Sequence, residues 1–538
     1  MPASLRRAAA ACAVIALLAA CSDSKKPGAT NSSGAGTDKP VVGGTLRVGI
    51  ERPKTLDPSQ ISPGSQSELL VADLLFDGLT RVDDSAASAS PAIATSWTPT
   101  ADQKSWQFTL RADARFSNGR AIVAADVKYS LERVAKLGDT SLAALRIDQI
   151  TGFTPYATGA VAELSGVHVI NDQTIAIDLD TPIAILPELL SAPEFGIVPK
   201  EAVEAASPAF ASAPVSSGPF SFAGVQGDTV KLVRATQGGA YLDAIELHEY
   251  DAANVGKAYD DFIAEQLDWS VVPNDRAEDA AQRFGSGGFR PFDAELFYAF
   301  NLLDPTFADV RFRQAIVKAI DRAAIVKAVY PGIADVLNGV VPAGVAGHVD
   351  DPCGDPCKYS PDGAKALLAA AFPDGNIPTF NLDYFTGTGE EAVAGSIVTN
   401  LAAVGINVTK RPKEPGGDPG QYDLFAVSGQ QQLFRLGVIG MYPSPDAYLV
   451  PLFFTGSRDN ATAFSDAGVD QLLVAARATT EPTARQQLYK QAEQQMMAFA
   501  PIVPIAQFRT KSVVAKRVRD LVVTVNGTFA GDRVWLGG

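Results

Sequence analysis

The sequence predicts a mixed α/β protein with more than one core, and three observations carry that prediction. Its 538 residues exceed the roughly 250–300 at which a single hydrophobic core stops growing. A content of 46% hydrophobic and 20% charged residues is that of an ordinary globular chain. The third observation is the alternation of strand-like and helix-like stretches, clearest between Phe297 and Pro342. There Phe297–Asn301 is apolar and aromatic, as a buried strand is, and Asp309 stands where a helix N-cap belongs. Phe312, Ala315, Ile316, Ala319 and Ile320 follow at i, i+3, i+4, i+7 and i+8, one apolar stripe of a helix. Asp321 caps a second short helix through Val329, and Pro331-Gly332 stops it.

Taken in order, the chain opens with Arg6-Arg7 and an apolar run from Ala8 to Ala20, the form of a secretory signal and too short to span a bilayer. Ser22–Lys39 is a polar Ser/Gly/Lys/Thr tether that cannot bury a core. The folded part starts near Gly44 with a strand through Ile50, a loop from Glu51 to Pro58, and a helix carrying Leu69, Leu70, Leu74 and Phe76. Short strands follow: Trp106, Phe108 and Leu110 alternate with polar residues, and Asn118-Gly119 marks a turn. A helix over Ala124–Val134 precedes a hairpin from His168 to Leu179 that turns at Asn171-Asp172. Further on, Ser360-Pro361 caps a helix; strand Thr379–Phe385, helix Glu390–Val404 and strand Ile406–Lys410 form a βαβ unit. Helix Pro482–Phe499 leads to a last buried strand, Ile502–Gln507.

The wording of the Phe297–Pro342 block, FN…PTFADVRFRQAI…AIDR…VYPG…VP, resembles the large extracellular solute-binding proteins of family 5, which serve peptide- and nickel-type ABC importers. The resemblance runs through nearly all of the chain beyond residue 43. It implies a two-lobed periplasmic-binding-protein-like α/β fold (type II, large peptide-binding class) with an additional small β-rich domain. On that reading residues 1–20 are signal and 21–43 tether. Residues 44–80, 186–290 and 501–538 build the first lobe, 81–185 the small domain and 291–500 the second lobe. Leu18–Cys21 resembles a bacterial lipobox, which implies a lipid on Cys21 and a place on the extracytoplasmic face of the cell membrane. The implied function is to deliver a peptide or peptide-like molecule to ABC transporter permease subunits, as a monomer, without catalysis and without a cofactor. A surface hydrolase, or a lipoprotein that no longer transports, is the alternative on the same scaffold.

The residues also exclude. With 60 acidic against 45 basic side chains and a net charge of −15, nucleic acid is not an expected partner, since phosphate binding needs clustered cations. His168, His248 and His348 stand in no ligand spacing, and no transition-metal site is expected. Gly387–Ala392 has the form GxGxxA between a strand and a helix. Glu390 and Glu391 occupy the first helical turn, where a pyrophosphate would need free amides, so a dinucleotide site is rejected. With Cys12 in the signal and Cys21 acylated, Cys353 and Cys357 are left as a local disulfide, with a redox-active pair as the alternative.

Candidate ligand contacts come from the resemblance. The segment Gln430–Phe454 is similar to the family's A-D-Y-x-x-P stretch, where the acidic residue before the tyrosine pairs with a ligand ammonium. Met441 stands at that position here, before Tyr442. Dipeptide-binding relatives place an arginine near the end of the strand before the second-lobe helix, where this chain has Tyr384. The expected cleft wall is Phe434, Met441 and Tyr442, with Tyr384 nearby and Glu51-Arg52 opposing from the first lobe.

Overall fold

The computed structural model describes residues 39–82, 88–236, 239–387, 389–414, 426, 428–440 and 442–538. The expected signal, Cys21, and Met441 lie outside the described residues.

Two six-stranded sheets organise these residues. The first is ordered Ser512–Val514, Trp269–Val271, Thr45–Glu51, Ala244–Tyr250, Thr229–Arg234, Phe220–Gln226. Its three middle strands run parallel and its outer strands antiparallel. The second is ordered Ala334–Val336, Ile502–Arg509, Pro291–Phe300, Leu433–Ile439, Phe380–Phe385, Val408–Lys413. A four-stranded antiparallel sheet of Ala94–Pro99, Ser105–Leu110, Thr174–Asp178 and Val167–Asn171 builds the β-rich part within residues 81–185. Its last hairpin turns at Asp172-Gln173.

Each sheet contains strands from distant parts of the chain. Among the described residues the backbone passes between the sheets twice: once after Phe284, and once after Arg509. The strand expected to return the chain to the first lobe, Ile502–Gln507, instead runs inside the second sheet against Pro291–Phe300. Ile502–Gln507 is itself buried throughout, which is why the stretch reads as a near-continuous apolar run. The crossing itself falls at Thr510-Lys511, before Ser512 joins the first sheet. The two crossings are bonded to each other: Thr510 N–H to Arg290 O (2.8 Å) and Ser512 N–H to Gly288 O (3.1 Å). At Gly288 a Cβ would sit 2.0 Å from the Ser512 carbonyl oxygen, so only glycine lets the strands meet.

Local chemistry accounts for the helices. Asp309, Asp321 and Ser360 cap theirs by accepting from the N–H of Arg311 (2.8 Å), Ala324 (2.9 Å) and Gly363 (3.1 Å), each cap contributing about 1 kcal/mol. Phe312, Ala315, Ile316 and Ala319 all face the core, as the stripe predicts. The arginine of the same motif, Arg313, is buried without a carboxylate. Its guanidinium donates to the carbonyls of Phe307 (2.6 Å) and Phe499 (2.6 Å), tying this helix to the end of Pro482–Ala498. The sulfurs of Cys353 and Cys357 lie at bonding distance, 1.96 Å, and the Cys357 carbonyl accepts from buried Arg322.

The β-rich part also rests on the second lobe. Just after it in sequence, Glu188 forms an ion pair with Arg485 at 2.8 Å, both nearly buried. The Ala184 N–H donates to Arg477 O (2.6 Å) and the Gln103 amide to Ala478 O (2.6 Å). In the first lobe, Asp268 accepts from Arg47 (3.0 Å) and Arg517 (2.7 Å). These two bonds fasten the C-terminal return to the first strand and hold the carboxyl at about 2 against the upward push of burial.

Other acids are buried without a cation. Glu295 lies on the central strand with neither carboxyl oxygen hydrogen-bonded, and burial, with Glu493 and Asp293 beside it, raises its pKa well above the ordinary range. Burial also pushes Glu493 to about 7 and Glu194 to about 7. Acids whose pKa is higher folded than unfolded bind extra protons in the folded state, so their contribution to stability is fully present below about pH 4.5 and is lost as pH rises through 7. Asp268 is ionised in both states across that window and does not contribute to the slope. We expect Tm to fall between pH 5 and pH 8. Glu493→Gln keeps an acceptor for the N–H groups of Val340 and Val341 while removing the charge. It should flatten the profile and stabilise at pH 8 by on the order of 3 kcal/mol, from the 1.36 kcal/mol of each pKa unit. A variant with a lower Tm at both pH values and an unchanged slope would contradict this.

Candidate ligand cleft between the sheets

The middle strands of the first sheet, Thr45–Glu51, Ala244–Tyr250 and Trp269–Val271, are parallel and finish at one edge. In open α/β sheets ligands bind outside such carboxyl ends. The loop leaving Glu51 is held rigidly there. Buried Glu68 accepts from the N–H of Lys54 (2.9 Å) and Ser62 (2.6 Å), and Asp57 pairs with Arg133 at 2.6 Å. The loop faces the other lobe, since a Cβ on Gly64 would lie 3.2 Å from Ile439 Cδ1.

The two expected contacts on this side differ. Glu51 is exposed at the strand end and has no ion pair among the described residues. Arg52 is surrounded by Glu249 (2.7 Å), Asp228 (2.8 Å) and Asp251 (3.4 Å), and its hydrogen bond to Asp228, with the field of the other acids, raises its pKa further. The corner is therefore acidic overall, and the Arg52 charge is already balanced.

On the second lobe the strands Phe380–Phe385 and Leu433–Ile439 run parallel and end beside the loop to helix Glu390–Ala402. The sequence places Tyr384, Phe434 and Tyr442 at the cleft. The structure puts all three side chains inside the lobe. Phe434 is fully buried in the core. Tyr384 is buried with its hydroxyl on Glu391, which also receives Lys410. Tyr442 is buried with its hydroxyl donating to Asp446 at 2.8 Å. These side chains hold the wall from behind, and in this conformation they offer a ligand no surface.

Asp446 is the centre of that backing. It is fully buried and accepts from Tyr442 (2.8 Å), Tyr489 (2.8 Å) and both edges of Arg477 (2.8 and 2.9 Å). Burial pushes its carboxyl up, and Arg477 with the two hydroxyls brings it below the ordinary value. The residues from 442 to 446 are thus pinned just behind position 441. Sequence reasoning missed Asp446, although its carboxylate among apolar neighbours in PSPDAYLVPLFF is a signal of a paired buried charge.

It also missed Arg435. No arginine follows Tyr384 in sequence, yet the neighbouring strand supplies one at this place. The Arg435 guanidinium lies 4.5 Å over the Phe385 ring and bonds Glu390 at 3.2 Å. Glu390 and Glu391 sit in the first turn of their helix, as expected, and Gly389 enters it at φ 93°. A cation thus stands beside this helix start, with carboxylates in its first turn. At this edge one cation and two carboxylates stand beside the ends of two parallel strands.

The family model of the bacterial extracellular solute-binding proteins, family 5 Middle, matches residues 88–460. Over 524 residues the chain is 27% identical to a probable di/tripeptide-binding protein 5 of Pseudomonas aeruginosa (strain UCBPP-PA14), covering 92% of this chain and 96% of that protein. It is 25% identical to a dipeptide-binding protein of Bacillus subtilis (strain 168), covering 83% and 84%. Among solved structures it is similar to the unliganded open form of a periplasmic murein tripeptide-binding protein, with a TM-score of 0.80 at 22% identity, covering 92% of this chain and 98% of that one.

Proposed function

The chain belongs to the bacterial extracellular solute-binding proteins, family 5, and we propose that it is a lipid-anchored extracytoplasmic receptor delivering a peptide or peptide-like ligand to an ABC importer. The observation that carries this reading is the pair of facing sheet edges between which, among the described residues, the chain crosses twice through mutually bonded segments. That is the geometry of a clamp that closes on a ligand by hinge motion. An extended peptide would bond to strand-end backbone, which leaves side-chain selectivity loose. The similar proteins named for di- and tripeptide binding support the ligand class. The proposal keeps the division read from the sequence, with signal at 1–20, tether at 21–43, two lobes and a small domain, and moves the end of the second lobe to Arg509. Binding and release, with no bond made or broken in the ligand, is the whole of the proposed activity.

The test of the ligand class is mass spectrometry of whatever co-purifies with the protein, released by denaturation. A peptide or peptide-like mass is expected, and a single non-peptide solute would overturn the class.

The proposal extends to how the ligand is held. With Met441 where relatives carry an acid, the ammonium end has no carboxylate at that position, and thioether contact is soft and apolar. Affinity for a bound peptide and its N-acetylated form should then differ little. Met441→Asp should create a preference for the free amine of about 1–3 kcal/mol, as for a charge-assisted hydrogen bond. A tenfold loss on acetylation in the wild type would point instead to Glu51.

The anchor is tested separately. Cys21→Ala should release the protein from the membrane fraction and abolish the mass added by acylation. Unchanged fractionation and mass would remove the anchor and leave the binding reading standing.

A further inference from the structure

The crossing at Thr510-Lys511 emerges at the carboxyl edge of the first sheet. Ser512 pairs with Val271, the last residue of a middle parallel strand, and the Lys511 carbonyl accepts from Val272 N–H at 2.9 Å. Lys511 therefore stands on the crossing between the two sheets, beside the carboxyl end of Trp269–Val271. Thr510 and Ser512 on either side of it are buried against Gly288 and Arg290. In extended chain a side chain points away from the face its neighbours occupy.

The other cations around the crossings are spoken for. Arg509 is gripped by Asp335 (2.6 Å), Arg517 by Asp268 (2.7 Å), and Arg290 donates to Val523 O (2.8 Å). Lys511 is partly buried, and its ammonium makes no hydrogen bond or ion pair among the described residues. Burial alone lowers its ammonium pKa, with no carboxylate acting on it. Closing the lobes would strip more water from this charge, which is unfavourable unless the ligand brings an acceptor.

We propose that Lys511 is a specificity-determining residue that receives an acidic group of the ligand, the C-terminal carboxylate of a peptide being the group that fits. This rests on the peptide reading and deepens it: the ligand is anchored by its anionic end at the hinge.

The experiment compares a random tetrapeptide library with free C-terminal carboxylates against the same library amidated. Bound peptide is read by native mass spectrometry for wild type, Lys511→Met and Lys511→Arg. Replacing a partly desolvated, unpaired ammonium by an apolar chain of similar length should leave Tm unchanged or raised, so Lys511→Met remains folded for the assay. The wild type should favour the free-acid library by tenfold or more. Lys511→Met should lose that preference, and Lys511→Arg should keep it. Equal binding of both libraries by the wild type overturns the anchor while the peptide reading stands. A preference that survives in Lys511→Met assigns the carboxylate to another cation and also overturns it. Binding of neither library brings down the peptide reading, and the anchor with it.

Discussion

The chain connects the two lobes through one piece of antiparallel pairing. Pro291–Phe300 and Ile502–Arg509 lie side by side at the centre of the second sheet, and their continuations, 288–290 and 510–512, stay bonded as they leave it. The hinge is therefore a short two-stranded ribbon. A single connection would let the lobes rotate in any direction, whereas a ribbon bends easily only out of its own plane. Closure along one path follows from that restriction, and so does the absence of room for a side chain at position 288, where Ser512 O comes close.

Buried charge is distributed in keeping with this. Where segments distant in sequence must be held together, a carboxylate and an arginine meet: Asp268 joins the first strand to the C-terminal return, Asp446 collects Arg477 and two tyrosines, and Glu188, just after the β-rich part, meets Arg485 of the second lobe. Breaking one partner of such a pair strands the other in a medium that solvates it poorly. The acids without cations, Glu295 and Glu493, are accommodated differently, by holding a proton to higher pH. Charge removal at these two kinds of site has opposite consequences for stability.

Much of the fold is legible in the sequence because it is written in local terms. Asp309, Asp321 and Ser360 cap the helices they precede, the 312–320 stripe faces inward, and the strand alternation at Trp106, Phe108 and Leu110 matches their burial. The site is less legible, for a physical reason. A strand in a sheet covered on both faces is apolar throughout, so its pattern does not say which side chains border the cleft and which the core. Phe434 and Tyr442 look like wall and are backing. The same ambiguity makes Ile502–Gln507 read as the strand that returns to the first lobe. Arg435 was hidden because it reaches Phe385 from a neighbouring strand, a proximity that pairing register alone creates.

The two ends of the folded chain sit together in the first lobe. A Cβ on Gly44 would lie 2.9 Å from Leu536, and the Arg517 guanidinium donates to Thr45 O while Gly537 N–H donates to Arg517 O. A fluorophore or fusion partner attached at either terminus would therefore travel with the first lobe and report nothing of closure. One placed at Leu303, which is 77% exposed on the second lobe, would move with the arm that swings. The closeness of the termini also means that joining them and reopening the chain in a surface loop would leave both hinge crossings intact.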